Sequence, residues 1–194
     1  MLSWPGRLAV TLFAACLLAG CQPAAPPPTP LPTYACTPEA GGAEFSCSQQ
    51  QYDEMVAKDK LYAEAEAVYR RFLQEDLRIS RTGGTESATS VLLETTAEAF
   101  LKKALEGYRQ DRAEGLSARG GDRVVRSIER LAGVSKGGSL VALRACVDAS
   151  SVTVYKAGKY VGKGLVTRDD LYFKRIGSAL KVIGADGSEV SSCG

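Results

Sequence analysis

The chain has 194 residues and a mass of 20.6 kDa, with 45% apolar and 24% charged side chains, figures that suit one folded domain with an appendage. Its 24 Lys and Arg against 22 Asp and Glu give a net charge of +2, too even a balance to point to a nucleic-acid partner. Histidine and asparagine are both absent, which excludes imidazole bases, His metal ligands and Asn-linked glycans.

Arg7 precedes the apolar run Leu8 to Leu18, which is too short to span a bilayer comfortably and reads as the core of a signal peptide. Leu18-Ala19-Gly20-Cys21 then resembles the lipobox of bacterial lipoproteins. The resemblance implies cleavage after Gly20 and a diacylglycerol thioether on Cys21, so residues 1–20 are a signal peptide and Cys21 is the lipidated terminus. Each buried methylene contributes about 0.8 kcal/mol, enough for a multi-acyl anchor to hold the chain on a membrane surface. Loss of 1–20 removes only Arg7 among the charged residues, leaving 23 basic against 22 acidic side chains. Residues 22–33 hold six prolines and no charge, an extended stalk that at about 3.1 Å per residue reaches roughly 35 Å.

With Cys16 in the signal peptide and Cys21 acylated, Cys36, Cys47, Cys146 and Cys193 remain, an even number for an oxidising compartment. Three pairings are possible. Cys36 with Cys47 and Cys146 with Cys193 is the favoured one, because the first closes a short glycine-containing loop and the second ties a strand to the chain end. No Cys-x-x-Cys pair exists, which argues against zinc or redox use of the thiols. No metal and no cofactor is expected. The expected divisions are 1–20, then 21–47 as lipidated Cys, stalk and small disulfide loop, then 48–194 as the folded domain.

Ser48-Gln49-Gln50-Gln51 matches a capping box, and Leu61, Ala65, Val68 and Phe72 recur at helical spacing, predicting a helix over about 48–79 that stops near Gly83-Gly84. A helical turn is expected over 88–93. Thr95-Thr96-Ala97-Glu98 reads as a second capping box, opening a helix through Phe100, Ala104 and Tyr108 to Gly115. From 122 onward β-branched residues and turn signals predict strands at 123–131, 151–155, 164–176, 178–184 and 187–192. The alternation of Val141, Leu143, Ala145 and Val147 predicts one more, with Arg144 on its other face. Lys156 to Lys159, Gly177-Ser178 and Ala185 to Ser188 read as turns. The sum is α+β, with N-terminal helices packed on a curved antiparallel sheet.

This element order, the segment Leu143 to Ser151 and the closing Val190-Ser191-Ser192-Cys193 resemble extracytoplasmic lipoproteins of high-GC Gram-positive bacteria and their phages that carry a domain similar to nuclear transport factor 2. The resemblance covers about 48–193. It implies a cone-like fold with a pocket between helices and bent sheet. Such domains often place Gly-x-Trp in the final hairpin, where this chain reads Gly177-Ser178-Ala179.

A possible pocket draws Asp148, Tyr155 and Tyr172, with Asp148 as a general base or, more simply, as a cap on the turn at Ala149-Ser150. Asp169 beside a tyrosine is a further way to furnish such a pocket. Lys156, Lys159, Lys163 and Arg168, interleaved with Tyr155 and Tyr160, are the one local basic concentration, either a solvated hairpin tip or a surface for anionic lipid or wall polymer. Ser178 to Lys181 fits a Ser-x-x-Lys pattern but lacks the helix and partner motifs that chemistry needs. No catalytic constellation is assembled.

The leading expectation is therefore a non-catalytic, lipid-anchored binding or protein-interaction domain on the extracytoplasmic face of the cell membrane. Its partners would be the membrane through Cys21 and another envelope protein or a small ligand. The alternatives are a ligand-binding or weakly enzymatic cone, and a prophage-type surface-exclusion lipoprotein.

Overall fold

The computed structural model describes residues 32–194; the segment 1–20, Cys16, Cys21 and the stalk up to Leu31 lie outside the described residues. Strands β1 (Tyr34–Cys36) and β2 (Phe45–Cys47) pair antiparallel and are closed by the Cys36–Cys47 disulfide. Three-residue strands carry no alternation, so the sequence offered no sign of them. The loop packs on the helix that follows: Tyr34 stacks on Tyr52, and the Tyr62 hydroxyl donates to Glu39 at 2.5 Å.

Helix α1 (Gln49–Arg81) begins with the expected capping box, the Ser48 hydroxyl accepting from Gln51 N–H and the Gln51 side chain accepting from Ser48 N–H. Its buried face carries Tyr62, Ala65, Tyr69, Phe72 and Leu73, the periodic stripe of a helix lying on a core. At Gly84 the backbone is left-handed and runs against the Tyr108 carbonyl, leaving no room for a Cβ. Helix α2 (Ser90–Thr95) is capped by Thr89.

The second capping box does not form. Thr95 and Thr96 turn their hydroxyls back onto the Val91 and Leu92 carbonyls at 2.7 and 2.6 Å, and helix α3 (Glu98–Glu114) starts at Ala97 without a side-chain cap. The Ala97 N–H instead donates to the carbonyl of Val182, a residue of the sheet, so tertiary pairing replaces the local cap. Gly115, with φ of 68°, ends α3 as expected.

Seven strands follow: β3 (Leu116–Arg119), β4 (Val124–Arg130), β5 (Val141–Asp148), β6 (Thr153–Lys156), β7 (Lys159–Lys163), β8 (Val166–Ile176) and β9 (Ala179–Glu189). All pair antiparallel, in the orders β4-β5-β8-β9 and β3-β6-β7. The architecture is α+β. The turn expected at Ala185 to Ser188 is absent, because β8 supplies a partner to each residue from Gly184, opposite Tyr172, to Glu189, opposite Thr167, and β9 runs on as one strand. Strands β3 and β7 had no separate signature.

The two sheets are joined by the chain itself. β5 leads into β6 and β7 into β8, and hydrogen bonds from Ala149 N–H to Leu165 O (3.0 Å) and from Gly164 N–H to Val152 O (2.8 Å) continue the ribbon across the break. Glycine is required there: a Cβ on Gly164 would strike the Ala149 carbonyl, and one on Gly121, itself left-handed, would strike the Ser151 backbone.

Strand parity then assigns the faces. Val141, Leu143, Ala145, Val147, Leu171 and Phe173 meet the helices in one continuous core. Ala142, Tyr172 and Ile183 form a smaller cluster on the opposite face, where Cys146 is bonded to Cys193. Closing a loop of that sequence separation, 47, is worth about 4 kcal/mol in the chain-entropy account. No helix among the described residues is long and apolar enough to cross a membrane.

Candidate functional site

A cavity of about 500 Å³ lies between α1, the end of α3 and the sheet at its break. Phe72, Leu73, Phe100, Val147, Leu165 and Leu171 are among the apolar side chains of its wall. A second hollow, sharing Phe72, Phe100 and Leu165 with it, opens toward Lys103 and Glu189 along α3 and β9. The wall is apolar because each contributing element turns its core-facing positions toward the gap where helices and sheet separate.

Into this apolar wall project charged groups from three elements. Asp76 sits one turn beyond Phe72 on the buried stripe of α1, and Arg123 precedes β4. Their side chains form an ion pair in which both are mostly sheltered, at 13% and 27% exposure. Asp76 also accepts from the Tyr108 hydroxyl at 2.7 Å, and Arg123 lies 3.4 Å from the Ser80 hydroxyl.

Asp169, from β8, accepts from Thr167 at 3.0 Å and faces the Tyr69 hydroxyl. Asp111, from α3, makes no side-chain hydrogen bond or ion pair among the described residues. It is the carboxylate with spare acceptor capacity. No group of His, Cys, Asp or Glu among the described residues is arranged to hold a metal.

Desolvation sets the electrostatics. Burial raises the carboxyl pKa of Asp169 above 3.8, partly opposed by the Thr167 and Tyr69 hydrogen bonds and by Arg123. Burial and the neighbouring Glu114 raise that of Asp111. Burial also lowers Arg123, against the pull of Tyr69 and Asp169, and raises Tyr69 and Tyr108. The phenols stay protonated and can donate.

The three residues expected for a pocket are not brought together and do not line this cavity. Asp148 falls at the end of β5 with the parity of Arg144, on the face away from the helices. It caps its turn, accepting from Ser150 N–H at 3.0 Å and from the Ser150 hydroxyl at 2.6 Å, and pairs with Arg126. Those bonds hold its carboxyl down at about 2.

Tyr172 is buried on that same outer face, donating to Asp186 at 2.7 Å, a bond that pushes its phenol up to about 12. Tyr155 lies in β6, its ring 6.0 Å from that of Tyr160. Asp169 does meet a tyrosine. The signal for Asp76 and Asp111 was available, since each is a carboxylate on the apolar stripe of its helix, whereas Arg123, expected as the first residue of a strand at 123–131, falls just before β4 and carried no pattern pointing to the cavity.

The Asp76–Arg123 pair generates a mutational prediction. Arg123→Met leaves a sheltered carboxylate without its cation and is expected to lower unfolding stability by about 3 kcal/mol. Adding Asp76→Asn, which removes that orphaned charge, should restore at least about 1 kcal/mol, measured by urea unfolding. Costs that simply add would contradict the pairing.

The raised Asp169 fixes a pH dependence. A folded-state pKa above the unfolded value means the folded state holds the proton more tightly, so the stabilisation is full below about 3.8 and is lost as pH rises through the folded value. Asp169→Asn cannot titrate. Urea unfolding between about pH 4 and 7 should therefore show a smaller fall in stability for the variant than for the native chain.

No protein-family model matches the chain, and no curated protein matches it in sequence. Among solved structures, the intermembrane space region of the chloroplast protein ARC6 is similar with a TM-score of 0.34 and 16% identity, over 66% of this chain and 95% of that one. A likeness at that level carries no argument.

Proposed function

We propose that this chain is a lipid-anchored extracytoplasmic domain that binds a small ligand in the cavity between its helices and sheet. The observation that carries the reading is the cavity of about 500 Å³ itself, apolar over most of its wall yet furnished with Asp111, Asp169 and the Tyr69 phenol. Its size suits a molecule with an apolar body. Arg123 is already matched by Asp76, so the free capacity is acidic, and the ligand class is an amphipathic amine or strong hydrogen-bond donor.

The extracytoplasmic setting is supported by the four cysteines of the described residues, all of them paired in disulfides, a state typical of oxidising compartments. The lipobox-like Leu18-Ala19-Gly20-Cys21 supports the anchor. Helices followed by an antiparallel ribbon that breaks at glycines support a cone-like domain similar to nuclear transport factor 2. Binding rather than turnover is favoured because Asp76 is neutralised by Arg123 and Asp169 is engaged by Thr167.

Titration calorimetry with 2-phenylethylamine and 3-phenylpropionate tests the ligand class. The amine should bind and the acid should not, and Asp111→Asn should weaken the amine by at least about tenfold, the worth of one charge-assisted hydrogen bond. Binding of neither probe, or an unaffected Asp111→Asn variant, would remove the proposal. For the anchor, Cys21→Ser should release the exported chain from membranes washed in high salt; retention in the pellet would place the anchor elsewhere.

A further inference from the structure

Between Ala149 and Arg168 the chain carries Lys156, Lys159, Lys163 and Arg168 and not one Asp or Glu. The structure gathers this segment into the β6–β7 hairpin, with β7 on the edge of its sheet. Tyr160 and Val161 on β7 are 57% and 54% exposed, and Leu165 just beyond is 52% exposed. Tyr155 sits opposite Tyr160, and the Arg119 guanidinium lies 4.5 Å from the centre of the Tyr155 ring. Lys156 is taken by Glu114 at 2.9 Å; Lys159 and Lys163 make no ion pair or side-chain hydrogen bond among the described residues.

Lysines on an open edge are a common guard against strand-to-strand aggregation. That explains Lys159 and Lys163 but not the exposed aromatic and aliphatic side chains beside them, which would undo the guard. Apolar and amphipathic side chains ringed by unpaired cations are instead what a membrane interface selects. Tyr rests at headgroup depth, and each Lys near an anionic lipid surface adds roughly a fivefold preference.

We propose that the β6–β7 hairpin docks on an anionic phospholipid surface, with Lys159, Lys163 and Arg119 meeting headgroup phosphates and Tyr160, Val161 and Leu165 entering the boundary of the acyl chains. The contact is reversible and separate from the acyl anchor, and of the side chains it uses Leu165 also borders the cavity. It would set which side of the domain faces the bilayer.

The test uses residues 22–194, which lack Cys21 and so carry no lipid; the buried core and both disulfides lie within this stretch. Sedimentation is compared with vesicles of equal phosphatidylglycerol and phosphatidylcholine and with phosphatidylcholine alone. The chain should pellet with the anionic vesicles only. Lys159→Gln/Lys163→Gln should weaken that binding by about 25-fold at an unchanged melting temperature. Lys60→Gln/Lys102→Gln, of the same net charge but far along the helices, should bind as the native chain does. Equal pelleting with both vesicles, equal loss in both double variants, or capture by soluble polyphosphate in preference to vesicles would overturn the proposal.

Discussion

A guanidinium withdrawn from water into an apolar hollow loses hydration that only closely placed carboxylates offset. Arg123 is in that position, between Asp76 of α1 and Asp169 of β8. The arrangement ties the long helix to the residue that leads into β4, at the wall of the cavity. Elsewhere the apolar contact of helices and sheet runs through Tyr69, Phe72, Leu143, Leu171 and Phe173, with ion pairs such as Asp59–Arg130 and Glu64–Arg175 in more exposed positions. The hollow exists because the ribbon breaks at Gly121, Ala149 and Gly164, so that β3, β6 and β7 leave the line of the main sheet. Cavity and ion pair are two results of that break.

The sequence disclosed elements whose signals are local. The capping box at Ser48, the apolar stripe of α1, the Gly115 stop and the alternation through β5 all follow from contacts within a few residues, and each stands in the structure. What it hid was decided at long range. The capping box at Thr95 yields to a bond from Ala97 to β9, and the apparent turn at Ala185 to Ser188 yields to its partner strand, because a ladder satisfies every backbone group that a turn would leave to water.

The candidate site divides the same way. Parity alone places Asp148 with Arg144, away from the helices, and Asp169 with Leu171, toward them. The alternation that located β5 therefore already argued against Asp148. Asp76 and Asp111 are polar interruptions of helical stripes. Arg123 lies on a connection, and nothing short of the tertiary fold brings it to Asp76.

If Arg123 is the buried link between helix and sheet, its guanidinium protons exchange slowly with water. Arginine side-chain NMR measures that directly. The account predicts resolved Arg123 Nη–H resonances whose exchange is far slower than that of the exposed Arg70 and Arg71, and which collapse toward theirs in an Asp76→Asn variant. Arg123 signals averaged and exchanging like those of the surface arginines would contradict it.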